Sequence, residues 1–118
     1  MSNIVIVGSG PAGVSAALYA VRAGVQTTVL TKGSGALARA EKIENYYGFA
    51  QPVSGPELER RSIENARRLG VQFVQTEAVG LTWTDRLTVE TLAGAYPADA
   101  VILELSTPDR FPMKQLFT

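Results

Sequence analysis

The chain has 118 residues, 11 Lys plus Arg against 11 Asp plus Glu, and neither cysteine nor histidine, a length that allows one domain or a piece of one. Without Cys or His there is no disulfide, thiol nucleophile, redox dithiol, thiolate metal site or imidazole base, so any redox chemistry must belong to a cofactor. A formal net charge of zero offers nucleic acid no basic face, and the apolar stretches fall short of the roughly 20 residues of a membrane span.

Met1-Ser2-Asn3 is not the basic start of a signal peptide, so the default expectation is a cytosolic protein without nucleic-acid or membrane partners. Residues 4–7 form a short, mostly β-branched run that stops at Gly8, which suits a parallel strand buried on both faces. Pro11 fits a first helical turn, and residues 12–23, rich in Ala, Leu and Val, predict a helix closed by Gly24. Residues 27–31 (TTVLT) predict a second strand. Together these make a β-α-β unit of about 30 residues, the size of a right-handed crossover between parallel neighbours.

Residues 32–52 are glycine-rich, aromatic and polar without periodicity, and are expected to form a long functional loop. Ser54-Gly55-Pro56-Glu57 has capping-box spacing and opens a helix ending near Leu69, with Gly70 as cap. Its Arg60, Arg61, Arg67 and Arg68 are expected to form a solvated face. Residues 71–75 return as a strand. From 79 to 97 the segments LTW, LTVETL and AYPA alternate with turns at Thr84-Asp85-Arg86 and Ala93-Gly94, a hairpin pattern. Residues 100–103 make another buried strand, and no repeat or low-complexity segment interrupts the chain.

Gly8-Ser9-Gly10-Pro11-Ala12-Gly13 carries the strongest site signal, a G-x-G-x-x-G spacing between a strand and a helix. Gly8 permits the tight turn, Gly10 lets backbone approach a pyrophosphate, and Gly13 lets the helix lie close to the sheet. Free N–H groups at the helix start, on the positive end of its dipole, then face the phosphates. The alternative is a glycine-rich turn with no ligand. Where such folds place a ribose-binding acid, at the end of the second strand, this chain has Thr31, which lacks the charge for a bidentate ribose contact and serves equally well as a plain strand-end residue.

These residues carry a family resemblance. The chain resembles the N-terminal part of a thioredoxin reductase-type flavoprotein, of the pyridine nucleotide-disulfide oxidoreductases. The resemblance rests on IVIVGSGPAG at 4–13, AALYAVRA at 16–23, SGAL at 34–37, IENYYGF at 43–49, SGPEL at 54–58 and residues 96–103, in order over nearly the whole chain. It implies an α/β, Rossmann-like three-layer β-β-α fold with a parallel sheet and a β-meander, left incomplete at its C-terminal end. It also implies FAD as cofactor. The candidate contacts are Gly8, Ser9, Gly10, Pro11, Ala12, Gly13, Thr31, Gly35, Leu37 and Asn45, with backbone near Ala78 reaching the adenine.

On the residues alone Asn45 serves equally as a turn former. Tyr46, Tyr47 and Phe49 fit an anchor of the loop to the core better than a shield for a flavin ring, and Trp83 fits packing better than stacking.

The pattern departs from the family in three ways. These 118 residues do not extend into the nicotinamide nucleotide domain or the last FAD strand that the resemblance implies and hold no redox cysteine pair, so disulfide reduction by this polypeptide alone is not expected. Where the family has Ala-Thr-Gly, this chain has Glu104-Leu105-Ser106. A carboxylate beside a pyrophosphate is repulsive and would weaken FAD binding; the expected geometry is instead that Glu104 turns into solvent because the sheet ends there.

Residues 1–103 are therefore expected to form a partial FAD-binding domain and 104–118 an extended tail resembling the start of a linker, with no catalytic side chain and no metal site. The leading expectation is an FAD-binding portion of a reductase, truncated and not catalytically complete alone. One alternative is a non-catalytic interaction or regulatory module that has lost nucleotide binding; another is an NAD(P)-binding module. An open sheet edge motivates an expected homodimer or a separately encoded complementing chain.

Overall fold

The structure, a computed structural model, describes residues 2–33 and 36–104. Gly35 and the tail beyond Glu104 lie outside them. The parallel sheet has the order β3-β2-β1-β7, from β1 (Asn3–Val7), β2 (Gln26–Thr31), β3 (Gln72–Gln75) and β7 (Ala100–Leu103). An antiparallel meander of β4 (Ala78–Trp83), β5 (Leu87–Thr91) and β6 (Gly94–Ala98) covers one face. Helices α1 (Pro11–Arg22) and α2 (Gly55–Arg68) cover the other. This is the three-layer β-β-α arrangement expected from the sequence, with element ends displaced by about one residue.

The alternation of β1 explains both cores. Successive strand side chains point to opposite faces. Val5 and its β2 neighbour Leu30 pack against Leu81, Val89 and Ala98 of the meander. Ile6 and Val29 pack against Val14 and Ala17 of α1 and Ala66 of α2. A strand apolar at four consecutive positions thus supplies both sides of the sheet, as expected for a buried parallel strand. Pro97 sits in β6, the outer strand of the meander, where its missing N–H costs no ladder bond.

The meander is tied to the beginning of β1. The Asn3 backbone N–H donates to the Asp99 carboxylate at 2.8 Å, its side-chain amide donates to the Pro97 carbonyl, and Arg86 bridges Asn3 and Asp99. All of this lies at the end of the sheet opposite the glycine loop. Trp83 departs from the packing expected of it. It is the last residue of β4, opposite Leu87, and is 71% exposed.

The segment 32–52 is more ordered than its composition suggested. It contains a 3-10 turn, Ala36–Arg39, and a bridge in which Ile43 and Val53 exchange backbone hydrogen bonds. Its return is held by Gly55, whose N–H donates to the Ala40 carbonyl at 2.7 Å. A Cβ at Gly55 would collide with the Leu37 carbonyl oxygen and stand 2.8 Å from that of Ala40. Glycine is required there by close approach rather than by dihedral angle.

Helix α2 forms half of its capping box. The Ser54 hydroxyl accepts from the Glu57 N–H at 3.2 Å. The Glu57 carboxylate does not reach back, because it accepts hydrogen bonds from Arg60 and Arg61 instead, and Arg60 also reaches Glu64. The arginine face is exposed as expected, yet it is not free of contacts, since Arg67 lies over the Phe73 ring and Arg61 over Phe49. Hydrogen bonds from Arg60 and Arg61 hold the Glu57 carboxyl at about 2, below its ordinary 4.5.

Two outcomes follow. Gly55→Ala should lower stability by about 1–3 kcal/mol, the usual cost of overpacking, and urea unfolding would measure it. The folded value for Glu57 lies below the unfolded one, so its contribution is complete above pH 4.5 and lost as pH falls to about 2. The loss of thermal stability across that interval should be shallower in Glu57→Gln; parallel curves for the two proteins would remove Glu57 as the cause.

Candidate functional site

Strands β1 and β2 leave the sheet at their carboxyl ends on one side, and there the chain turns through Gly8 into α1. Gly8 has φ +117°, a conformation that side-chain-bearing residues rarely adopt, and its N–H donates to the Leu30 carbonyl at 2.9 Å. Helix α1 starts without a cap of its own. Its N-cap is Gly10, with no side-chain hydrogen bond, and its first turn has no acidic residue. N–H groups without a partner inside the helix, and the positive end of its dipole, therefore face outward, an arrangement that attracts an anion.

An anion is present, and it comes from the chain itself. The Glu104 carboxylate accepts the Gly10 N–H at 2.7 Å through Oε1 and the Ala12 N–H at 3.0 Å through Oε2. Its backbone continues the β1–β7 ladder, with the Glu104 N–H donating to the Val7 carbonyl at 2.8 Å. The expectation that Glu104 turns into solvent is thus overturned. One more parallel-ladder bond places it beside the loop, and the exposed N–H groups favour the carboxylate more than water-facing alternatives do.

The three glycines make room for it. A Cβ added at Gly8, Gly10 or Gly13 would stand 2.8, 2.7 or 2.9 Å from a carboxylate oxygen of Glu104. At Gly13 it would also collide with the Gly8 carbonyl oxygen, so that position is needed for close helix packing as well.

Ser9 and Thr31 meet beside the cradle, their hydroxyls 2.7 Å apart. The Thr31 hydroxyl also accepts from the Gly33 N–H at 3.0 Å and donates to the Gly33 carbonyl at 3.2 Å. A hydroxyl offers one donor and two acceptor positions. Those of Thr31 are occupied by its own turn and by Ser9, so a ribose must displace one of these partners.

A groove of about 230 Å³ continues from the cradle over α1 and α2. It brings together Ser9, Gly10, Pro11 and Leu37 with residues that the sequence reading did not select, chiefly Arg61, Ser62 and Asn65. Their 58-61-62-65 spacing with Leu58 marks one face of α2 and is the signal that would have found them. Tyr46 and Phe49 form an edge-to-face pair, with centroids 5.7 Å apart, on its wall. Tyr47, expected to help anchor the loop, is 98% exposed.

Asn45 is exposed and not part of this groove. Ala78 packs against the core at the start of β4. The chain reaches it from the cradle side of the sheet, where the Thr76 N–H donates to the Thr31 carbonyl. The groove is smaller than the roughly 300–1,000 Å³ typical of small-molecule sites.

A Rossmann-like α/β domain with its glycine loop at the carboxyl ends of parallel strands is the class of protein defined here. The chain belongs to the pyridine nucleotide-disulphide oxidoreductase family, whose pattern matches residues 2–106. Over 113 residues it is 38% identical to the bifunctional thioredoxin reductase/thioredoxin of Mycobacterium leprae, covering 92% of this chain and 25% of that protein. It is 34% identical over 113 residues to the thioredoxin reductase of Streptomyces coelicolor, covering 92% and 35%.

Among solved structures, the atypical thioredoxin reductase TRi of Desulfovibrio vulgaris Hildenborough superimposes with a TM-score of 0.84 at 35% identity, covering 95% of this chain and 38% of the other. The thioredoxin reductase of Gloeobacter violaceus gives 0.85 at 33% identity, covering 92% and 35%. The chain is a thioredoxin reductase-like N-terminal region, spanning 25% to 35% of these two curated relatives.

The Glu104 carboxylate substitutes for the missing cap of α1. Removing such a cap costs about 0.5–2 kcal/mol, so Glu104→Ala should lower unfolding stability by that amount. Unchanged urea midpoints would mean that the carboxylate does not hold the loop in solution.

Proposed function

We propose that this region binds FAD, with the pyrophosphate on the loop from Gly8 to Gly13, as the flavin-holding part of a thioredoxin reductase-like oxidoreductase. The observation that carries this reading is the convergence of the Gly10 and Ala12 N–H groups on a single anionic group. Donors at that spacing, on a helix dipole, suit phosphate oxygens as well as carboxylate oxygens. The fit to FAD depends on Glu104 leaving, because carboxylate and pyrophosphate claim the same space and repel one another.

With that side chain displaced, Gly10 and Ala12 would donate to the pyrophosphate and Gly8, Gly10 and Gly13 would leave it room. Ser9 and Thr31 would exchange their mutual hydrogen bond for one to the ligand. Leu37, Tyr46 and Phe49 would exclude water along one side of the groove. Bound FAD would supply the electron-carrying ring, while the protein supplies binding and orientation.

Calorimetric titration should show FAD binding to the wild-type chain and no binding to Gly10→Val, whose side chain would fill the pyrophosphate position. Equal FAD affinity in the two proteins would refute the cradle as the binding site.

A further inference from the structure

Among the described residues, the contact least accounted for by FAD binding is the one between Glu104 and the glycine loop. A cradle built for a ligand is expected to present its donors to solvent, or to water, when the ligand is away. Here the two donors that face outward are already satisfied by a carboxylate that arrives from 92 and 94 residues further along the chain. The placement is built into the fold, since the Glu104 N–H to Val7 carbonyl bond fixes the backbone from which the side chain reaches across.

The position is also the one where interference is greatest. In an open parallel sheet, ligands enter the crevice at the carboxyl ends of strands where the connections diverge to either side. The connection through α1 carries the chain from β1 toward β2, while β7 lies on the other flank of β1. Glu104 follows β7 directly, so its side chain closes the crevice between β7 and β1 from the inside.

We propose that the Glu104 carboxylate is an internal competitor for the dinucleotide cradle, so that a pyrophosphate-bearing ligand binds only after this side chain swings out. The proposal rests on the reading that the loop is a pyrophosphate site. A carboxylate carries one negative charge where the ligand brings two, and the ligand must therefore both break two charge-assisted hydrogen bonds and displace a like charge. The contact also caps α1, which gives the proposal a distinctive signature. Removing the carboxylate weakens the fold and strengthens the binding, whereas a residue with a purely structural role would weaken both.

The test compares the wild-type chain, Glu104→Ala and the size-conserving Glu104→Gln. The ¹H–¹⁵N resonances of Gly10 and Ala12 are followed during titration with inorganic pyrophosphate, and FAD is titrated separately by calorimetry. Dispersed amide spectra establish that each variant is folded. The expected result is that Gly10 and Ala12 respond to pyrophosphate in Glu104→Ala at concentrations that leave the wild type unchanged. FAD should bind Glu104→Ala roughly tenfold or more tightly than the wild type, with Glu104→Gln between them, reflecting the two charge-assisted bonds released.

Equal or weaker binding of pyrophosphate by Glu104→Ala overturns the competition and leaves the FAD reading standing if FAD still binds. Pyrophosphate binding that strengthens in Glu104→Ala, without FAD binding in any variant, supports the competition and overturns the FAD reading. Failure of all three proteins to bind either ligand overturns both.

Discussion

The start of α1 is the point on which the rest of the structure depends. A helix that opens with Gly10 and Pro11 has nothing local to satisfy its first N–H groups, and the dipole of the whole helix adds to the demand for negative charge there. Glu104 meets that demand with both carboxylate oxygens. A backbone arrangement favourable to a phosphorylated ligand is, for the same physical reason, favourable to a carboxylate within reach. One side chain thus caps the helix and, on the proposed reading, occupies the place of a pyrophosphate.

That side chain arrives where it does because of the layers beneath it. The strictly two-sided burial of β1 fixes the sheet between the helices and the meander, with Val5 and Leu30 facing one core and Ile6 and Val29 the other. Parallel pairing of β1 with both β2 and β7 then brings the carboxyl ends of the three strands to one edge. Gly8, Thr31 and Glu104 all lie just beyond or at those ends. The opposite edge is held by Asn3, Arg86 and Asp99, which secure the meander without approaching the site.

The second half of the site is organised from α2. Gly55 admits the carbonyl groups of Leu37 and Ala40 against the helix start, which brings the 3-10 turn over the groove. One face of α2 faces that groove through Leu58, Arg61, Ser62 and Asn65, while Glu57, Arg60 and Glu64 pair along the surface. The aromatic segment contributes Tyr46 and Phe49 as an edge-to-face pair and leaves Tyr47 in solvent. Composition alone treats these three rings alike, and only the path of the loop distinguishes them.

The elements and the glycine loop were legible in the amino-acid sequence. Runs such as residues 4–7, the Ser54-to-Glu57 start of α2 and the glycine spacing are local signals, because strand burial, helix capping and positive φ are properties of a few neighbouring residues. Trp83 and Asn45 were ambiguous for the same reason, since exposure depends on how far along a strand or loop the rest of the chain reaches to cover it. Glu104 was legible as a departure in chemistry but not in direction. Whether its carboxylate turned to solvent or to the helix depended on the register of β7 against β1, a contact across nearly a hundred residues that no local pattern encodes.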